Sequence, residues 1–369
     1  MPSSLTSLPW GAVAAAVADG LAIRDGDAVS VFLTDAGSFP IVEAFCEEVY
    51  RRGAVPHVLL TDERVDALAI RFARVDVLAS APDIEVASLR GSDVHVSFRG
   101  MLPAPARPNG VDDHELARRI AAQRTAKGIV SSLRWEKERW AIVRVPTEAW
   151  AEFSGIDVAS LFDEFFAGCL VDWAQAKPEW ESLARRVDAT STVRILSDDT
   201  DLSLAVSGRR TVVFAGEANW PDGELATAPL ETAVDGHIAF PEPFWFAGER
   251  IEGLRLEFED GLVRDVRATA GGELATALLD TDAGSRRVGE LGIGLNAGMK
   301  TMTGDLLFDE KILGTAHIAL GRAYPQCGGV NRSSLHWDIV KDLRAGSGGG
   351  AGDILLDGQP LLSAGRAAW

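Results

Sequence analysis

The chain has 369 residues, 47% of them hydrophobic, and its 54 acidic and 36 basic residues leave a formal net charge of −18 at pH 7. This length is sufficient for two ordinary domains, each with its own core. Nucleic acids and anionic membrane surfaces are bound through clustered Lys and Arg, so the negative charge excludes both as partners. Met1–Leu21 lacks the basic region of a signal peptide, and no apolar stretch approaches the roughly 18 residues of a membrane span. We therefore expect a cytoplasmic protein.

The first hundred residues alternate between strand and helix patterns. Val29–Leu33 and Val55–Leu60 are short apolar runs typical of strands, whereas Ser38–Arg52 and Arg64–Arg74 have helical periodicity. Val94–Phe98 alternates with period two, as a half-buried strand does. Strands separated by helices of this length predict a mainly parallel α/β sheet. No glycine-rich phosphate loop or Walker lysine follows these strands, so nothing indicates nucleotide binding.

Residues 112–188 are expected to be mainly helical, and the character of the sequence changes from Ser191 onward. The predicted helices of this stretch are Asp113–Arg134, one starting at Pro146, Asp157–Ala174 and Trp180–Val187. After the change, the predicted elements are strands at Thr192–Leu196, Leu202–Ser207 and Thr211–Ala215, hairpins at Leu254–Val266 and Asp353–Leu362, and a helix at Thr276–Gly289. The sequence therefore predicts an N-terminal α/β domain with a mainly parallel sheet over residues 1–190 and a β-rich α+β C-terminal domain over residues 191–369.

A short stretch of the second half combines histidines with acidic residues. The chain has six histidines, and His317 and His336 both fall between Glu290 and Asp338. Residues i and i+2 of a strand share a face, so His336 and Asp338 can converge on one ion. Carboxylates and neutral imidazoles suit divalent zinc, cobalt, manganese or iron. The alternative is a surface strand with an ordinary hydrogen bond between the two side chains.

The other candidates also have ordinary interpretations. His317 lies in an apolar strand, where a histidine can be a satisfied core residue, and Tyr324 can be a packed aromatic. Glu290 follows the predicted helix and precedes an apolar segment; buried there, it would need a cation, whereas a surface glutamate would not. Glu224 ends a Pro-Asp-Gly-Glu turn, in which the glutamate is normally exposed.

The joint pattern is more specific than any single residue. It is the ordered set Asn-x-Pro-Asp-Gly-Glu, Gly-Glu, Gly-Thr-x-His-Ile-Ala-Leu-Gly-x-x-Tyr and Gly-x-Asn-x-Ser-x-x-His-x-Asp, between Asn219 and Asp338. This set resembles the M29 family of metallo-aminopeptidases, the aminopeptidase T and aminopeptidase S group. The likeness extends over nearly the whole chain and includes Leu21–Asp27, Tyr50–Ala54 and Val145–Thr147.

The resemblance implies two divalent metal ions (Zn, Co or Mn) held close together in a cavity of the C-terminal domain of a homodimer. By resemblance, the metal ligands are Glu224, Glu290, His317, His336 and Asp338, and the active-site tyrosine is Tyr324. The sequence departs from the family pattern in two places. The stretch between Tyr324 and His336 is short, and Gly292–Asn296 is glycine-rich where the family segment is more apolar. We expect these departures to affect substrate preference more than metal binding.

The reaction implied is hydrolysis of the N-terminal amide bond of short peptides by a metal-activated water. We expect Glu290 to bridge the ions and Tyr324 to donate to the tetrahedral intermediate. The residue that transfers the proton is not assigned: it is Glu224, Glu290 or a further carboxylate.

Three alternatives to general peptide hydrolysis remain at this stage. The substrate could be a specialised small amide. The fold also resembles 2,5-dihydroxypyridine 5,6-dioxygenase, a ring-cleaving enzyme with one iron that has a histidine in place of Glu290. The third alternative is a binding or interaction protein without catalytic activity. In such a protein, buried ligand side chains with neither a metal nor a hydrogen-bond partner would be destabilising.

Overall fold

The structure is a computed structural model that describes residues 8–102, 112–246 and 249–369. The chain divides into two compact units. The first consists of Met1–Pro108, Ala122–Asp172 and Ala215–Asp222, and the second of Asn109–Ala121, Trp173–Phe214 and Gly223–Trp369. The predicted domain boundaries, 1–190 and 191–369, remain a prediction.

The helices and strands are numbered here in chain order. The α-helices are α1 (Trp10–Gly20), α2 (Phe39–Arg51), α3 (Glu63–Phe72), α4 (Val75–Leu78), α5 (Asp83–Arg90), α6 (Asp113–Glu136), α7 (Glu148–Ser154), α8 (Val158–Cys169), α9 (Trp173–Asp188), α10 (Gly272–Leu279) and α11 (Leu306–Asp309). The strands are β1 (Ala28–Leu33), β2 (Val55–Leu60), β3 (Val94–Arg99), β4 (Trp140–Arg144), β5 (Thr192–Ser197), β6 (Thr200–Ala205), β7 (Val212–Phe214), β8 (Asn219–Trp220), β9 (Glu224–Thr227), β10 (Val234–Phe240), β11 (Phe244–Phe246), β12 (Glu249–Ile251), β13 (Leu254–Glu259), β14 (Leu262–Arg267), β15 (Val288–Gly294), β16 (Thr315–Gly321), β17 (His336–Asp342), β18 (Asp353–Leu356), β19 (Gln359–Ser363) and β20 (Arg366–Ala367).

The first unit contains a parallel sheet in the order β2-β1-β3-β4-β8. The α/β fold predicted for the N-terminal half is therefore confirmed. The expectation of a mainly helical stretch missed β4, which lies between β3 and β8 in the sheet and is buried along its whole length. A short, fully buried apolar run has no alternation, so periodicity cannot distinguish it from a helix segment.

The second unit is rich in antiparallel strands, as predicted. One sheet has the order β14-β13-β10-β6-β5-β18-β19-β20, and β11 pairs with β12. The hairpins β13–β14 and β18–β19 occur where the sequence predicts them, with Asp260 and Asp357 at positive φ in their turns. A five-stranded sheet in the order β17-β16-β15-β9-β7 carries the predicted ligands.

Two sequence-based elements differ from the structure. The helix predicted over Thr276–Gly289 is wrong beyond its first four residues, because α10 spans Gly272–Leu279 and β15 begins at Val288. Glu290 therefore lies inside a strand. The helix predicted over Asp157–Ala174 is interrupted, since α8 ends at Cys169 and α9 begins at Trp173. Among the described helices, none has the length and the apolar character of a membrane span.

Candidate metal centre

One face of the five-stranded sheet presents all the predicted ligands. Residues that pair directly across antiparallel strands share a face. Gly294 pairs with Glu224 and Gly292 with His317. On the same face, Ala319 of β16 pairs with Glu290 of β15 and with Asp338 of β17. Gly321 of β16 pairs with His336 of β17. The polar side chains therefore alternate with glycine and alanine, which leave room above the sheet.

The ligand atoms form two groups that share Glu290. Glu224, Glu290 and His317 form one group, and Glu290, His336 and Asp338 form the other, with the ligand atoms of each group within 4.8 Å of one another. Nε2 of His317 lies 3.1 Å from Oε1 of Glu224 and 3.7 Å from Oε1 of Glu290. Nε2 of His336 lies 3.4 Å from Oε2 of Glu290 and 3.3 Å from Oδ1 of Asp338. Glu290 thus has one carboxylate oxygen facing each histidine.

A backbone carbonyl fixes the tautomer of His336. Nδ1 of this residue lies 2.8 Å from the carbonyl oxygen of Arg322, which can only accept, so Nδ1–H is the donor. In the neutral ring the basic nitrogen is then Nε2, which faces Glu290 and Asp338. Metal-ligating histidines in proteins are oriented in this way by a partner on the other nitrogen.

The absence of a side chain at Gly292 gives the ring of His317 its position. A Cβ at residue 292 would lie well inside contact distance of three ring atoms of His317. His317 is almost fully buried, and within the described chain its Nδ1 has no hydrogen-bond partner. The ring therefore lies over β15, with Nε2 directed at the carboxylates.

The clustered carboxylates favour positive charge on their neighbours. Burial lowers the pKa of His336, but Asp338 and Glu290 outweigh it and raise that pKa to about 10. Burial likewise opposes protonation of His317, and Glu224 and Glu290 nevertheless raise its pKa well above the usual range. Burial raises the pKa of Glu224, whereas Lys311 and His317 lower it to a net value of about 2. The site is electrostatically suited to cations.

Two charged residues at this site were missed by sequence reasoning. Lys311 is completely buried and makes ion pairs with Glu224 and, at 2.8 Å, with Oε1 of Glu310. Glu310 forms a third group of close ligand atoms with His317 and Asp338. Burial raises the pKa of Glu310 to about 8, although Lys311 lowers it. The available signal was the charged run Asp309-Glu310-Lys311 inside an otherwise apolar segment.

Tyr324 is beside the second group of ligands. Its ring centroid lies 5.1 Å from that of His336, with the planes tilted by 41°. Burial and the charges of Glu290 and Asp338 raise the pKa of the phenol well above its usual value, so the hydroxyl keeps its proton at neutral pH. Nearby Cys327 directs Sγ to the carbonyl oxygen of Ala226, as expected for a thiol that is not a ligand.

The residues present fit a divalent metal. Within the described residues, the buried Oε2 of Glu290 accepts no hydrogen bond, and the donor set consists of carboxylates and imidazoles. Those ligands suit zinc, cobalt or manganese. The structure brings the five predicted ligands and Tyr324 together. It also shows that Glu224 is not an exposed turn residue but the buried first residue of β9.

Comparisons with known proteins agree with this geometry. A family model described as thermophilic metalloprotease (M29) matches residues 12–351. Aminopeptidase 2 of Geobacillus stearothermophilus is 25% identical over 89% of this chain and 90% of its own length. Aminopeptidase T of Thermus thermophilus is 26% identical over 84% of this chain and 83% of its own length.

Solved structures show the same fold at lower sequence identity. Wild-type AmpT from Thermus thermophilus has a TM-score of 0.77 and 24% identity, with 98% of this chain and 99% of that chain covered. The 2,5-dihydroxypyridine dioxygenase of Pseudomonas putida KT2440 has a TM-score of 0.60 and 14% identity, with 97% and 96% covered. These two likenesses concern the fold alone. Because the family match spans most of the chain, the protein belongs to the M29 metalloprotease family and is a hydrolase of the metallo-aminopeptidase group that requires a divalent metal.

Proposed function

We propose that this enzyme hydrolyses the N-terminal amide bond of short peptides with two divalent ions, Zn, Co or Mn, that Glu290 bridges. The observation that carries the proposal is the sharing of Glu290 between two groups of ligand atoms. Glu224 and His317 would complete one ion site, and His336 and Asp338 the other. A bridging carboxylate holds two ions at a fixed separation, which suits a site that must contact both the water and the scissile carbonyl.

The charges of the cluster suit divalent cations. Glu224, Glu290 and Asp338 together supply three negative charges, and Glu310 is a fourth carboxylate beside them. Lys311 offsets part of this charge from within the cluster. Buried carboxylates without compensating charge are strongly destabilising. Divalent ions would compensate the carboxylate charge that Lys311 leaves unbalanced.

The chain's own residues have distinct roles in the proposed reaction. When bound, the ions lower the pKa of water and polarise the amide carbonyl. The Tyr324 hydroxyl, which stays protonated, donates a hydrogen bond to the developing oxyanion. Glu310 lies in the cluster but outside both groups that share Glu290, so we assign it the proton transfer from water to the leaving amine.

Metal analysis of the Glu290→Gln variant tests the bridging role. The wild-type protein should contain two metal equivalents and hydrolyse leucine p-nitroanilide in a chelator-sensitive way. The variant should lose both hydrolysis and metal, because one neutral amide replaces a charge shared by two ions. Glu273→Gln, on the exposed side of α10, is the matched control. Full activity in Glu290→Gln would remove this residue from the site.

The Glu310→Gln variant separates proton transfer from metal binding. We expect kcat to fall by about 10²–10⁴-fold, the usual contribution of a general acid–base residue, while the metal content stays at the wild-type level. A parallel loss of metal would instead identify Glu310 as a ligand of the third group.

The same measurements decide between the alternative reactions. A single bound iron with no amide hydrolysis would indicate the dioxygenase chemistry, which oxygen uptake with a dihydroxypyridine would test. Two metal equivalents with slow peptide cleavage would indicate a specialised small amide. Efficient removal of N-terminal residues from a folded protein would contradict the restriction to short peptides. The homodimer and the cytoplasmic location stay predictions; sedimentation tests the first.

A further inference from the structure

Lys311 is a buried cation to which the proposed reaction gives no role beyond charge compensation. Its side chain has no exposed surface. Its Nζ contacts Oε2 of Glu224 and lies 2.8 Å from Oε1 of Glu310. The same Nζ lies 5.7 Å from the ring centroid of Phe214, which pairs with Glu224 across β7 and β9. A buried ammonium is destabilising unless its neighbours replace the lost water, and two carboxylates and an aromatic face do so here.

The segment that follows β15 fixes the backbone on both sides of this contact. The carbonyl oxygen of Lys311 accepts a hydrogen bond from the backbone N–H of Asn296, at 2.8 Å. One residue earlier, the N–H of Leu295 donates to the carbonyl oxygen of Gly223, at 2.9 Å. Gly223 immediately precedes β9, whose first residue is Glu224. The same short segment therefore anchors the residue that carries the ammonium and the strand that carries the carboxylate.

The two carboxylate oxygens of Glu224 face different groups. Oε2 contacts Lys311, whereas Oε1 lies 3.1 Å from Nε2 of His317, which belongs to the same group of ligand atoms. Glu310 is also close enough to other ligands to bind an ion, because it forms a group with His317 and Asp338. Lys311, however, lies against its Oε1. One oxygen of each glutamate is therefore occupied by a cation that the chain itself supplies.

We infer that Lys311 is a positioning residue that withholds one oxygen of Glu224 and one oxygen of Glu310 from the metal ions. Glu224 then binds through Oε1, and Glu310 stays outside the ligand set, where it can transfer a proton. Catalytic metal sites keep a position open for water or substrate, and each additional carboxylate oxygen would fill one. The inference rests on the proposed function, because it gives Lys311 a part in the same metal centre.

The zinc affinity of Lys311→Met gives the first test. Methionine has a similar length and no charge, so this change frees both glutamates for the ions. In competition with a chromogenic chelator, the variant should bind zinc about tenfold more tightly than the wild type or better, because the ammonium no longer competes for the carboxylates. Its kcat for leucine p-nitroanilide should fall by at least about 10²-fold, because Glu310 becomes a ligand. A residue needed only for folding would instead weaken zinc binding when it is replaced.

Lys341→Met is the matched control for the loss of a buried lysine. Lys341 is also completely buried, and its Nζ lies 2.6 Å from Oδ1 of Asp199. It belongs to β17 but lies on the opposite face from Asp338, because successive residues of a strand alternate between faces. The zinc affinity and kcat of this variant should stay at the wild-type level.

The Glu310→Gln change in two backgrounds shows whether Lys311 acts through Glu310. With Lys311 present, the change should leave zinc affinity unaltered, because Glu310 is not a ligand. In the Lys311→Met background, the same change should remove most of the gain in affinity. Equal effects in the two backgrounds would reduce the role of Lys311 to its charge and would overturn the inference.

A second variant, Lys311→Gln, keeps the test decisive if Lys311→Met is unstable. Its neutral amide can still donate to one carboxylate, so it should bind zinc more tightly than the wild type but by a smaller factor than Lys311→Met. Zinc affinity at or below the wild-type level in a folded Lys311 variant would overturn the inference. Absence of peptide hydrolysis in the wild-type protein would instead contradict the proposed function, and the zinc affinities would still decide the role of Lys311.

Discussion

At the scale of single residues, the candidate metal centre depends on small side chains as much as on charged ones. Gly292 is a non-ligand on the site face, and its missing side chain is what admits the ring of His317. Sequence reasoning noted the glycines of Gly292–Asn296 as a departure from the family pattern and connected them with substrate preference. The structure shows a steric role for one of them, which is visible only when the facing strand is known.

Gly292→Ala is therefore expected to damage the site without removing a ligand. The new methyl group must displace His317 or separate β15 from β16, which costs about 1–3 kcal/mol of stability. Metal affinity should fall together with activity. Gly272→Ala is the matched control, because a Cβ there makes only ordinary contact with Ala268. Unchanged metal affinity in Gly292→Ala, measured by competition with a chromogenic chelator, would contradict the steric role.

Tyr324→Phe tests the oxyanion donor at the same scale. Loss of one preorganised donor typically lowers kcat by about 10²–10³-fold. Metal content should not change, because the phenol stays protonated and carboxylates and imidazoles supply the proposed ligands. A rise in KM with an unchanged kcat would assign Tyr324 to substrate binding instead.

At the scale of elements, the register of the five-stranded sheet assembles the centre. The pattern of residues i and i+2 predicted that His336 and Asp338 share a face, and the structure shows both on the site face of β17. Sequence periodicity gives the face of a strand but not its neighbours. The placement of Glu224 beside β15 therefore could not be predicted from its turn-like local sequence.

One carboxylate, that of Asp282, holds the loop that leads into β17. We predict that replacing it destabilises the protein. Asp282 accepts hydrogen bonds from the Ser333 hydroxyl and from both the backbone and the hydroxyl of Ser334. Asp282→Asn should lower the free energy of unfolding by about 1–3 kcal/mol, since charged acceptors are lost from this loop. Asp280→Asn, which affects only a more exposed pair with Arg286, should change it by less than about 1 kcal/mol.

The effect of Asp282 should depend on pH in a defined direction. Burial raises the pKa of this carboxyl, but the donors of Ser334, Ser333 and Ser285 outweigh burial and lower it to about 2. A depressed pKa in the folded state stabilises the protein above the unfolded pKa, near 3.8, and this stabilisation is lost as the pH falls through about 2. The difference in stability between wild type and Asp282→Asn should therefore be constant above about pH 5 and shrink at lower pH. Urea unfolding at several pH values measures it.

At the scale of the whole molecule, we expect stability to depend on metal, because the net charge is −18 and carboxylates cluster in the interior. A ligand that binds only the folded state raises the free energy of unfolding by about 2.7 kcal/mol when its free concentration is about 100 times its dissociation constant. For a unit of this size we expect chelation to lower Tm by about 5–10 °C. Calorimetry of the chelated and the Zn-, Co- or Mn-loaded protein measures the shift. The same treatment of Glu290→Gln should shift Tm little, and an equal shift there would place the stabilising metal elsewhere.

The sequence by itself determined the fold class of each half and the kinds of ligand at the centre. Alternation of strands and helices predicts a parallel sheet from local pattern alone, and the ordered set from Asn219 to Asp338 carries the family resemblance. Because these features depend on local pattern or on the order of residues along the chain, they can be predicted without knowledge of the packing.

Only the tertiary structure decided which charges are buried together. Glu310 and Lys311 belong to the centre because β9, β15 and β16 come together around them. Likewise, Oδ2 of Asp35 is buried because Gly100, after the neighbouring strand β3, leaves space for it. Burial and the approach of distant strands control the pKa of a carboxyl and the space around it. Neither quantity is encoded in the residues next to it in the chain.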